Sequence, residues 1–79
     1  MWYFTIKQRE LSNEQHQQLR KRTNFMEIEA FSDPYPNYCL FEVDSENYLD
    51  TMNYLDLEGI VYGASTHRPQ RDELLDRMQ

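Results

Sequence analysis

Hydrophobic periodicity alternates between two residues and 3.6 along this chain, and the order of those switches limits the folds open to it. Trp2, Phe4 and Ile6 alternate with Tyr3, Thr5 and Lys7. That aromatic and β-branched run is a strand, with the Trp2 face turned to the core. Ser12 stands three residues before Gln15, the spacing of a capping box. A helix is expected from there to Arg22, its last turn carrying Arg20, Lys21 and Arg22 against the negative end of the helix dipole. Its apolar stripe is little more than Leu19, so it must lie shallowly on its support.

Met26 to Phe31 alternates strictly over its first five residues and reads as a second, half-buried strand. Asp33-Pro34-Tyr35-Pro36-Asn37 is a run of turn formers. Tyr38 to Val43 is apolar on both faces except at Glu42, the composition of a central strand. Asp44 or Ser45 caps a second helix running to about Leu57, with Tyr48, Leu49, Met52 and Leu55 at helical spacing. Gly59 suits the left-handed position that ends it. Ile60 to Ala64 reads as a fourth strand. Beyond it, Pro69 is placed to begin a short helix carrying Leu74, Leu75 and Met78, one that needs a surface to pack on.

Strand, helix, strand, strand, helix, strand is the split βαβ pattern, β-α-β-β-α-β, of ferredoxin-like domains, and the chain resembles them at the level of architecture. The expectation is one α+β domain over residues 1–64 with a tail, 65–79. Right-handed crossovers put both helices on one face of a four-stranded antiparallel sheet and order the strands 4-1-3-2. The first and third strands, the most apolar, then lie in the centre.

The 79 residues hold one thin core and no deep cleft between lobes. A large cofactor site is disfavoured on size alone. A single cysteine, Cys39, excludes an internal disulfide. Met1-Trp2-Tyr3-Phe4 lacks the basic start of a signal peptide, and no apolar stretch approaches the roughly 18 residues of a membrane span. A cytoplasmic setting is the expectation.

The net charge of −6 is unevenly distributed. Residues 1–25 hold Lys7, Arg9, Arg20, Lys21 and Arg22 against Glu10 and Glu14. Met26 to Ala64 holds nine carboxylates and no Lys or Arg. Cations return only with Arg68, Arg71 and Arg77. A polyanion needs clustered cations, so direct nucleic-acid binding is disfavoured. A basic protein surface is the better complement.

Catalytic chemistry finds little to work with. His16, His67 and Cys39 have no ligand-pair spacing, so no metal is expected. Cys39 should be buried beside Phe41 and Val43, where a thiol is inert. Ser65, Thr66 and His67 read as a polar loop. The only glycines are Gly59 and Gly63, which leaves no phosphate-binding loop. The expectation is no cofactor and no enzyme.

The sheet face that the helices leave bare is the informative surface. Tyr3, Tyr38, Leu40 and Phe31 should form an aromatic and apolar patch there, rimmed by Glu27, Glu29 and Glu42. Carboxylates on an edge strand also guard against sheet-to-sheet pairing, and that plain role competes with binding. An uncovered patch of this kind marks a contact surface; the alternative is that the tail folds back over it with Leu74, Leu75 and Met78. Two readings follow. The first is a small acidic protein-interaction module, a regulator or inhibitor that docks on a basic protein surface. The second is a dimeric α+β barrel in which two such sheets face one another around a small molecule, with Tyr3, Tyr38 and Leu40 lining the pocket. Monomer and homodimer stay open at this level.

Overall fold

A computed structural model describes residues 1–32 and 34–77, with side chains up to Leu74. Asp33, Met78 and the Leu75 side chain, which figured in the expectations above, lie outside the described residues. The structure is mixed α+β. Strands β1 (Trp2–Lys7), β2 (Asn24–Glu29), β3 (Tyr38–Val43) and β4 (Gly63–Ser65) form one antiparallel sheet in the order β2-β3-β1-β4. Helices α1 (Asn13–Arg22), α2 (Ser45–Glu58) and α3 (Arg71–Arg77) complete it, with one 3-10 turn at Gln8–Glu10 that the sequence did not announce.

Local chemistry explains where α1 starts. The Gln15 amide donates to Ser12 Oγ at 3.1 Å, and the Ser12 amide donates to Gln15 Oε1 at 3.0 Å. Two amides that the first helical turn leaves unpaired are thus satisfied. Leu19, the sole strong apolar residue of α1, is fully buried.

Helix α2 ends at Gly59, which takes φ 68° and ψ 27°. The Ile60 amide donates to the Leu55 carbonyl at 2.9 Å and the Gly59 amide to that of Asp56 at 3.2 Å, the Schellman closure. This motif corrects the expected fourth strand. Ile60 is the buried anchor of the helix terminus, Val61 is exposed, and the strand begins only at Gly63. The inward stripe of α2 also departs from the expectation at one point. Leu49 faces solvent, and Thr51 is buried with its hydroxyl donating to the Asn47 carbonyl at 2.8 Å.

Both long helices cover the same side of the sheet. Phe4, Ile6, Cys39, Phe41 and Val43 from the strands meet Leu19 and Leu55 there, with the Trp2 ring centroid 4.2 Å from that of Tyr48 in a tilted contact. Gln15 Nε2 reaches Glu58 Oε1 at 3.5 Å at one end of the helix pair. At the other, Arg22 Nε lies 3.3 Å from Asp50, outside hydrogen-bonding alignment, and its guanidinium covers the Tyr54 ring at 4.5 Å. The two helices therefore run antiparallel.

Strand β2 departs from strict alternation. It starts at Asn24 rather than Met26, and the register slips between Phe25 and Glu27 so that Met26 is an extra residue. Such a bulge re-aims side chains at a sheet edge. Phe25 packs against Phe41 under the helices, whereas Met26 turns to the opposite face.

Candidate partner-binding face

The face opposite α1 and α2 is built by register. Glu27 lies across from Leu40 and Glu29 across from Tyr38, while Glu42 lies between Asn24 and Tyr3. Partners in register point to the same side of a sheet. Tyr3, Tyr38, Leu40, Glu27, Glu29 and Glu42 therefore share that face. Glu42 stands away from the other two carboxylates, toward the end of the sheet near Arg20 to Arg22. Phe31 follows β2, held where the Phe31 amide donates to Asn37 Oδ1 at 3.0 Å, and packs edge-on to Tyr38 at 6.4 Å.

The patch is not bare. Tyr38 and Leu40 are buried, at 6% and 1% exposure, because Leu74 of α3 sits on them with Met26 and Phe31 around it. Of the two alternatives left open by the sequence, a bare contact surface and a tail folded back over it, the structure shows the second, through Leu74. The reason is geometric: residues 66–70 carry the chain from β4 at one sheet edge across the face to β2 at the other. Three strand spacings are about 14 Å, within reach of five extended residues.

The covering segment is also held electrostatically. The Arg68 guanidinium meets the Glu27 carboxylate. Arg71 Nη1 donates to Glu29 Oε1 at 2.7 Å, and the same guanidinium lies 4.2 Å over the Phe31 ring. Arg71 thus bridges two of the residues singled out from sequence. His67 Nε2 lies 3.3 Å from Glu73, and Ser65 Oγ donates to the His67 carbonyl at 2.7 Å, so the polar loop is tied down locally.

Sequence reasoning missed Arg68, Arg71 and Met26 as members of this face. A signal for the arginines existed. After Arg22 the first cations in the chain are Arg68 and Arg71, three residues apart, and an acidic strand face is their natural complement.

Beside the covered half, a groove of about 190 Å³ stays open, lined by Thr5, Lys7, Tyr38, Val61, Tyr62 and Gly63. It holds one cation and no carboxylate, and Thr5 Oγ1 is 3.5 Å from the Gly63 carbonyl. On the helix side, Cys39 is fully buried, which pushes its thiol pKa up. Burial, with the nearby Arg20 charge, lowers that of His16, whose ring packs edge-on to Phe25 and Phe41. Among the described residues no group of three or more His, Cys, Asp and Glu side chains could hold a metal ion, and no helix is long and apolar enough to cross a membrane.

Comparison with family models, with curated proteins and with solved structures finds no significant match.

Proposed function

We propose that this chain is a non-enzymatic protein-interaction module, a small regulator or inhibitor whose acidic sheet face docks on a basic protein surface. The observation that carries the reading is the pair of contacts Arg68 to Glu27 and Arg71 to Glu29, with Phe31 under the Arg71 guanidinium. A face that accepts arginine carboxylate by carboxylate within its own chain has the chemistry to accept arginines from another protein. Tyr38 and Leu40 supply the apolar centre that such interfaces need, with the carboxylates as a polar rim.

A ferredoxin-like arrangement of this domain is part of the same reading. It is supported by the order β2-β3-β1-β4 and by Leu19 and Leu55 meeting on one side of the sheet. The cytoplasm, where a reduced buried Cys39 is at home, is the proposed setting.

Affinity capture with the wild type and with Glu27→Lys/Glu29→Lys tests the docking role. A basic partner retained by the wild type and lost by the double variant is the expected result; equal capture by both removes the role of this face. The groove beside Tyr38 favours a second reading, a face-to-face dimer around a small apolar molecule. That dimer requires Leu74 to leave the sheet, and a monomeric solution mass at micromolar concentration counts against it.

A further inference from the structure

We propose that residues 66–77 are an exchangeable intramolecular ligand. In their place the face takes a basic segment of a partner protein, with two arginines three residues apart and an aliphatic residue three further on. This rests on the docking role proposed above and specifies its partner.

The spacing comes from the segment already seated. Arg68, Arg71 and Leu74 recur every three residues, and each has its own receiver: Glu27, Glu29 with Phe31, and the Tyr38–Leu40 pair. Glu27 and Glu29 stand two residues apart on one strand face, about 7 Å, a separation too wide for one bidentate arginine, so each carboxylate takes its own.

The hold on the present occupant is weak by construction. Arg68 and Arg71 are about half exposed, at 48% and 52%, so water and salt screen both pairs. Helix α3 has seven residues, too few to persist without its support. Leu74 is the one described side chain of α3 that is fully buried. The main core lies on the other side of the sheet, with Phe4, Ile6, Phe41, Leu19 and Leu55, and among the described side chains it includes none from residues 66–74. Lifting the segment therefore exposes Tyr38 and Leu40 without opening the core.

The occupant in trans is a cationic segment rather than an acidic or purely apolar one. The rim that stays on the face is Glu27 and Glu29, and an uncharged segment would leave both carboxylates unpaired beside a buried centre. A second copy of this chain, exchanging its own residues 66–77, is the competing occupant.

The probe is a fluorescein-labelled synthetic peptide of residues 65–79, titrated into the full chain and into full-length Arg71→Ala/Leu74→Ala. The weakened variant should bind the peptide at least tenfold more tightly than the wild type, and adding Glu27→Lys should abolish binding. A folded double variant, judged by circular dichroism and cooperative unfolding, that binds no better than the wild type overturns the proposal. A second measurement needs no variant. Tethering by a short linker corresponds to a millimolar effective concentration, so unlabelled peptide at several millimolar should shift the Leu74 methyl resonances of the wild type toward their undocked positions. Resonances that stay in place overturn the proposal equally. A doubled solution mass from exchange between copies would make the occupant a second copy and overturn the partner assignment. Loss of peptide binding while a basic partner is still captured would remove the exchangeable segment and leave the docking role standing.

Discussion

Arg71 and Glu29, 42 residues apart in sequence, meet in a 2.7 Å hydrogen bond that fastens α3 to the edge strand of the sheet. Around that contact Arg71 covers Phe31 and Leu74 covers Tyr38 and Leu40. The sheet thus has two apolar sides that are covered to unequal extent. One is sealed by α1 and α2; on the other, a single short helix covers Tyr38 and Leu40 and leaves a groove open beside them.

The inequality predicts different costs for the same truncation. Leu55→Ala removes a fully buried side chain from the main core, and urea unfolding should show a loss of about 2–5 kcal/mol. Leu74 is equally buried, yet Leu74→Ala should lower global stability by less than about 1.5 kcal/mol, because α3 can detach before the rest unfolds. Equal losses for the two variants would mean that α3 is an integral part of the fold.

Salt should loosen the cover. The Arg68–Glu27 and Arg71–Glu29 pairs are partly exposed and are screened as the Debye length falls from about 10 Å at 0.1 M to about 3 Å at 1 M salt. Cleavage after Arg71 by trypsin, which needs the segment free, should accelerate several-fold over that range once corrected for the enzyme's own salt response. Cleavage after Arg22, whose guanidinium is also bound to Gln18 and packed on Tyr54, should change little. A rate after Arg71 indifferent to salt would show that the ion pairs contribute nothing to docking.

His16 sets a pH dependence on the helix side. Its ordinary pKa of 6.5 is lowered in the folded chain, first by burial and then by Arg20. The unfolded chain therefore binds the proton more readily, and stability should be full above about pH 6.5 and decline as pH falls through the folded value. His16→Gln should flatten that part of the profile in urea titrations at successive pH values. A slope unchanged by the substitution would assign the dependence to other groups.

The legible parts of this fold were those written locally. The capping box at Ser12 and Gln15 placed the start of α1, and alternation in Trp2–Lys7 placed the buried face of β1. The composition of Tyr38–Val43 placed a central strand. Where two local signals competed, pattern reading went astray. Ile60 and Val61 have strand composition, but the Schellman bond from Ile60 to Leu55 turns Ile60 into a helix-end anchor. Leu49 matched the apolar period of α2, yet Thr51 took the buried place by satisfying its hydroxyl on the Asn47 carbonyl. Met26 obeyed alternation in sequence and left it in space, because a bulge at the edge strand re-aims a side chain at small energetic cost.

The candidate face was half legible for a related reason. Which residues share it follows from a period of two, and Tyr3, Glu27, Glu29, Tyr38, Leu40 and Glu42 fall together by register. What covers it depends on pairs such as Arg71 and Glu29 that no local pattern contains. The charge asymmetry, an acidic middle followed by arginines, was the sole trace of that pairing in the sequence.

The most direct measurement is native-state hydrogen exchange, comparing the Leu74 amide, which bonds to the Gln70 carbonyl, with the amides of β3. An exchangeable cover predicts that Leu74 exchanges at least a hundredfold faster than the Cys39 and Phe41 amides, through an opening that salt promotes and that leaves β3 protected. Protection of Leu74 equal to that of β3, lost only with global unfolding, would contradict the account.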